Sequence, residues 1–343
     1  MVSQVLSATG PRVAPHTGSI GAIGWLGWPV QRWRNLAQIG FFLLFVLAPV
    51  LNIFRLDLNV KHFILFGMNW TLGLDDFIAG KIGAGQAALN IVLRGFLPIL
   101  AAGGTLIWVS WKWGRLYCGW LCPHFSVVET INSTLRRAIG KQSLWDSKPM
   151  PARNPDGSAV QYDAIWWLAV LPLVIGFAFL WALVLLTYLL PPAEIYSNLW
   201  HGTLTRNQTI FLSAGSIALF VEFMFARHLF CRYACAIGLF QSLAWMGNNK
   251  AMVVGFERNR ASDCASCYSA CDHVCPMRLK PRNVKRMMFA CVQCGQCLDA
   301  CSHTQSDNPQ GPLLQWVHQA TAESEAAFDA KAARIIPIKS LSR

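Results

Sequence analysis

Charge is scarce in this sequence. Only 13% of its 343 residues are charged, and Asp and Glu number 17 against 29 Lys and Arg. A soluble domain carries about 25% charged residues, so a simple soluble enzyme is excluded. Disorder is excluded too, because a disordered chain is poor in apolar residues and this one is 54% hydrophobic. What is abundant is long apolar runs. Four are near the roughly 20 residues that cross a bilayer, at 36–54, 95–111, 165–190 and 209–225. None of the eight histidines falls in the middle of a run, so paired axial ligands for an intramembrane haem are missing. No cleaved signal peptide is expected in the first 35 residues.

The basic residues set an expected orientation. Seven lie between Lys112 and Ala164 and fourteen from Arg227 onward, but only Arg206 lies in the loop 191–208. Lys and Arg collect on the cytoplasmic side, so a multi-pass protein of a bacterial inner membrane is expected, with both termini cytoplasmic. The +12 net charge then reflects topology. No stripe of basic and aromatic residues accompanies it, so nucleic acid is not expected as a partner, whereas membrane lipid is. The reading divides the chain into an N-terminal segment 1–35, a membrane domain 36–245, a cluster domain 246–305 and a tail 306–343.

Two runs end in similar text. Cys118-Gly-Trp-Leu-Cys122 follows the second and Cys231-Arg-Tyr-Ala-Cys235 follows the fourth, an offset of 113 in both cases (231 − 118 and 235 − 122). The repeat predicts two helix hairpins of one design packed as a four-helix bundle. An i, i+4 spacing predicts both sulfurs of a pair on one helix face. Together Cys118, Cys122, Cys231 and Cys235 suit a soft site, either copper(I) or an iron–sulfur cluster, unless they are buried packing residues. Disulfides are disfavoured on a cytoplasmic face. His124 and His228, beside the pairs, are candidate auxiliary ligands, and Glu222 is a candidate proton relay or partner of Arg227.

The other eight cysteines fall between 264 and 301. Cys291-x-x-Cys294-x-x-Cys297-x-x-x-Cys301 has the spacing of a bacterial [4Fe–4S] site, in which the fourth cysteine serves the neighbouring cluster. The partner run is Cys264, Cys267, Cys271 and Cys275-Pro. The expected quartets are therefore Cys264, Cys267, Cys271 and Cys301 for one cluster, and Cys291, Cys294, Cys297 and Cys275 for the other. Cys267 and Cys271 are one residue farther apart than usual, which reads as a bulge in the loop. Zinc fits two interleaved quartets poorly. The five basic residues of 277–286 either screen cluster charge, dock an acidic electron donor such as a flavoprotein, or face anionic lipid. The fold class expected is membrane all-α, a four-helix bundle with a cytoplasmic two-cluster ferredoxin-like (α+β) module.

Tyr117-Cys118-Gly119-Trp120-Leu121-Cys122-Pro123, the second cysteine pair and the two-cluster segment resemble the membrane polyferredoxins over about residues 30–305. Within them the chain is similar to the accessory (assembly) protein of cbb3-type cytochrome c oxidase. That resemblance implies electron transfer through [4Fe–4S] clusters to reduce Cu(II) to Cu(I), with oxidase assembly components as partners. The family carries a fifth span and a β-sandwich beyond its clusters and a proline after the second pair; here Ala236 follows Cys235 and neither addition is read. The chain is equally similar to the membrane quinol dehydrogenase subunit of periplasmic nitrate reductase systems, which implies quinol as electron donor. A non-catalytic copper chaperone or redox sensor is a third expectation.

Overall fold

The computed structural model describes residues 30–141, 143–145, 161–267 and 269–326. The expected N-terminal segment lies mostly outside the described residues, as does the end of the tail. Four helices are long and apolar enough to cross a membrane: Val30–Val50, Ala84–Trp113, Ala164–Leu189 and Arg206–Ala234. The sequence runs locate them, but their ends differ. The first helix starts before its apolar run, on a polar stripe of Gln31, Arg34 and Gln38 spaced along one face. The fourth continues past Glu222 and Arg227. Side-chain caps set two starts. Asp163 accepts the Ile165 N–H at 3.0 Å, and Thr205 and Gln208 form a reciprocal capping box.

The third span is the hub. Its Val170, Val174, Ala178 and Ala182, each at most 1% exposed, make a narrow i, i+4 stripe on which the fourth span settles closely. The first span packs on the same helix through Phe42 and Phe45 against Trp181. The second span differs. None of its most apolar window is buried, and Gly103 and Gly104 have nothing within 4 Å of where a Cβ would stand. The even four-helix bundle expected from the sequence is therefore three packed spans with a fourth standing apart. Lipid tails are as apolar as leucine, so nothing drives an apolar helix inward unless shape or polar groups do.

Each half of the repeat continues into another helix, and the chain breaks between the two cysteines. After the second span comes Leu116–Trp120, then Pro123–Ile139; after the fourth comes Ala236–Met246. Cys122 (ψ 115°) and Cys235 (ψ 107°) are extended residues capping those helices. The paired sulfurs thus do not share one helix face, contrary to the i, i+4 reading. Pro123 enforces the break in the first half, and Ala236 takes the same N1 place without a proline. The two helices then cross over. Pro123–Ile139 packs on the first and third spans, while Ala236–Met246 packs on the second.

At the far end, the loop after the first span forms an antiparallel sheet, β1 (Phe54–Asp57), β2 (His62–Leu65) and β3 (Met68–Trp70), with Phe54 opposite Leu65 and Phe63 opposite Trp70. The all-α expectation for the membrane part missed it. The signal is short runs with aromatic and branched residues around the Phe66-Gly67 turn, where both residues have positive φ. A buried Arg55–Asp57 pair at 2.8 Å steadies it, and the Leu58 N–H reaches the Leu189 carbonyl at 3.0 Å.

The cysteine-rich module sits at the opposite end. β4 (Val253–Phe256) pairs antiparallel with β5 (Leu314–Val317) around the short helices Ala270–Val274 and Gln296–Thr304. The start of the first span and the end of the second both touch this module or its approach. Gln31 donates to the Cys294 carbonyl at 2.9 Å, and the Met252 N–H donates to the Lys112 carbonyl at 2.9 Å. Successive spans therefore alternate in direction. The helix Ala320–Ala326 follows β5.

Candidate metal centre

The eight cysteines of the module line two separate pockets. One, of about 270 Å³, is lined by Cys264, Cys267, Cys271 and Cys301 with Arg282 and Thr304. The other, of about 340 Å³, is lined by Cys275, Cys291, Cys294 and Cys297, with Met277, Leu279 and Met288 among its apolar walls. Cys301 thus crosses to the first pocket and Cys275 to the second. Ser269, with φ 55°, takes a left-handed turn within the longer spacing from Cys267 to Cys271. No three His, Cys, Asp or Glu side chains among the described residues gather as a single metal ion requires. A cubane asks for something else: one thiolate at each of four irons, around a larger body.

The surroundings suit such a group. In the first pocket, Cys267 is held down to about 6, chiefly by its side-chain hydrogen bond with Cys264, with the Ser269 and Ala270 N–H groups and the Arg282 charge adding. That favours the thiolate, the form that binds metal. Arg282 donates to Asp272 at 2.7 Å while lining this pocket. In the second, burial raises Cys291 to about 12, opposed by the Gln293 backbone N–H and by Arg115. Burial also raises Cys294, with Arg34 opposing. The Leu279 N–H donates to the Cys275 sulfur at 3.4 Å. Each quartet thus meets backbone donors and a guanidinium, the partners a negatively charged cluster needs. The five basic residues of 277–286 divide: Arg282 serves the first pocket, Lys285 is buried with its ammonium on the Trp245 carbonyl at 2.9 Å, and Arg278, Lys280 and Arg286 face outward.

The four membrane cysteines come together beside the second pocket. Cys118 and Cys231 are buried in one cluster with Cys275 and Cys294, and Cys122 packs against it. Burial pushes the Tyr117 hydroxyl up to about 12, with the charges of Cys122, Cys118 and Cys235 adding. Cys118 donates to Gln241 at 3.4 Å. Cys231 lies 3.7 Å from His124 Nδ1, whose Nε2 lies 3.0 Å from Glu222 Oε2. Glu222 opens a π-helical turn (Glu222–Ala226), a widening often found at functional sites. His228 is buried nearby in sequence.

Residues that the sequence reading passed over join the two sites. Gly119, between Cys118 and Cys122, approaches the second quartet's loop so closely that a Cβ would stand 2.1 Å from the Val292 carbonyl oxygen. Trp120 donates to the Gln293 carbonyl at 3.0 Å. Arg34, 1% exposed, donates to the Gly119 carbonyl at 2.9 Å and pairs with Glu129, which also accepts from Gln296. The polar stripe Gln31-Arg34-Gln38 inside a helical start was the available signal.

The 4Fe–4S binding domain family matches residues 95–142 and 208–251, two segments whose starts are offset by the same 113 residues (208 − 95) and each holding one membrane cysteine pair. The relatives the chain resembles include ferredoxin-type membrane proteins. The chain is 23% identical to the ferredoxin-type protein NapH of Haemophilus influenzae over 81% of this chain and 90% of that one. It is 28% identical to protein RdxA of Cereibacter sphaeroides over 73% of this chain, spanning 50% of that longer protein. The regulatory protein NosR of Pseudomonas aeruginosa is 24% identical over 71% of this chain and 32% of its own length. No solved structure matches the chain. The protein is an iron–sulfur electron-transfer protein related to NapH, RdxA and NosR, with four helices long and apolar enough to cross a membrane.

Proposed function

We propose that the protein carries electrons between a cytoplasmic cluster pair and the quinol pool of a bacterial inner membrane, with three thiolate quartets as its cofactor sites. Cys264, Cys267, Cys271 and Cys301 hold one [4Fe–4S] cluster, and Cys275, Cys291, Cys294 and Cys297 a second. Cys118, Cys122, Cys231 and Cys235 hold a third, since the match to the 4Fe–4S binding domain family falls on those pairs. When bound, such clusters supply one-electron transfer at a potential set by charge, hydrogen bonds and burial.

The observation that carries this reading is the backbone contact at Gly119. The peptide between the membrane cysteines lies against the loop of the second quartet, with Trp120 and Arg34 pinning the two together. Direct contacts therefore join the sites, and Met277, Leu279 and Met288 line the second pocket. The module and the basic loops face the cytoplasm, because the loops on that side hold most of the Lys and Arg. The resemblance to the quinol dehydrogenase subunits noted in the sequence, joined by the similarity to NapH over 81% of the chain, favours quinol as the membrane partner.

Anaerobically purified protein is expected to hold about twelve irons per chain, as three cubanes require. Replacing Cys118, Cys122, Cys231 and Cys235 by serine should remove about a third of that iron and abolish bleaching of the remaining clusters by a quinol analogue. An unchanged iron content in the quadruple variant sinks the third site, and unchanged quinol bleaching sinks the proposed route. Cupric reduction for oxidase assembly is the second reading, kept by the likeness to RdxA. It requires Cu(II) reduction by the loaded protein that the quadruple variant loses.

A further inference from the structure

Arg115 is among the most buried side chains of the protein, 1% exposed, and it follows the second span just ahead of Cys118. Its Nη2 donates to the Cys231 carbonyl at 2.7 Å, across the pseudo-repeat. Its Nε and Nη1 are buried without a hydrogen-bond partner among the described residues. No carboxylate pairs with it there either. Arg34 and Arg55, two further buried guanidiniums, are answered by Glu129 and Asp57.

An unpaired buried charge is heavily penalised, and a protein normally discards it or balances it. Here the fold makes room for it. Gly238, on the helix after the second cysteine pair, has no side chain, and a Cβ there would stand 2.1 Å from Arg115 Nη2. A residue needed only to satisfy the Cys231 carbonyl would not leave two donors bare in the interior. The counter-charge available to Arg115 is thiolate, and the Cys118 side chain is within its hydrogen-bonding reach. Burial raises Cys118 and Cys291, one from each quartet, and in both the Arg115 charge pulls the other way.

We propose that Arg115 is a shared counter-charge, set between the membrane quartet and the second module quartet, that favours the reduced state of the groups bound at both. The inference rests on the reading that these quartets hold clusters, and it goes further by naming the residue that ties the two sites together electrostatically. Adding an electron makes a thiolate-bound cluster more negative, so a nearby fixed cation raises its potential. The first quartet has Arg282 instead and should not sense Arg115.

Redox titration of the full chain in detergent, followed by electron paramagnetic resonance, tests this. In Arg115→Gln the membrane centre and the second module centre should become harder to reduce, each by roughly tenfold or more in equilibrium constant. The centre at Cys264 should stay where it is, and Arg115→Lys should keep most of the parent's potentials. Unmoved potentials in Arg115→Gln overturn the inference, and so do equal shifts in the Gln and Lys variants, which would mark a purely structural fork. Should Arg115→Gln not fold, Gly238→Ala displaces the guanidinium while keeping its charge. The same two centres must shift in that variant, and no shift overturns the inference. Iron and sulfide analysis of the parent separates the two levels, since too few clusters there refutes the cofactor reading before any potential is compared.

Discussion

Gly119 illustrates how single residues decide this architecture. It is not at a positive φ; it is glycine because another backbone occupies the space its side chain would need. A Cβ would lie 2.1 Å from the Val292 oxygen and 3.4 Å from the Cys294 nitrogen, both backbone atoms that cannot swing away. Gly119→Ala should therefore push the module off the membrane cysteines at a cost of about 1–3 kcal/mol, the usual range for overpacking. Hydrogen exchange would show it as lost protection at residues 292–296, with the third span unchanged. Equal protection in both proteins would mean the contact is not tight. The cysteines were legible in the sequence because ligand spacing repeats locally. Gly119, Arg34 and Glu129 were not, since Arg34 meets a partner 95 residues away and no local pattern encodes that meeting.

At the scale of elements, the sequence reading found the four spans and the repeat but mistook the join inside each cysteine pair. Helical spacing alone cannot show that a helix stops between two residues, and only the first half carries a proline to signal it. In the structure both halves stop alike, with Cys122 and Cys235 extended ahead of a new helix. Position 236 is exposed, and the residue before it already has the backbone that precedes proline comfortably. Ala236→Pro should therefore be accepted, keep the full iron content and raise stability by about 0.4–1 kcal/mol through the unfolded chain. A loss of iron in that variant would show that the two halves are not equivalent at this turn. The far-end sheet was illegible for another reason: its strands are three or four residues long, too short for alternation to stand out.

At the scale of the whole molecule, two kinds of core are joined end to end. The membrane core is Val, Ala, Phe and Trp from three spans and one amphipathic helix. The module's core is built around its own ligands: Cys264, Cys271, Cys297 and Cys301 pack with Val254, Leu313 and Leu314, and Cys275 and Cys294 pack with Val253, Met277, Leu279, Met288 and Val292. With cysteines at the centre of both halves and only two short strands and two short helices around them, metal bound by those thiolates should contribute folding free energy to the module. Removing iron with a chelator under reducing conditions should then unfold residues 253–317 while the third span stays protected. The module should become protease-sensitive and lose amide protection as one unit, and reconstitution with iron and sulfide should restore both. Because Gln31, Arg34 and Trp120 hold the second quartet's loop from the membrane side, the 291–297 segment should be the last part of the module to lose protection. An apo protein that keeps the parent's protection throughout 253–317 would refute this division, since the thiols would then be packing residues and the pockets no more than gaps between them.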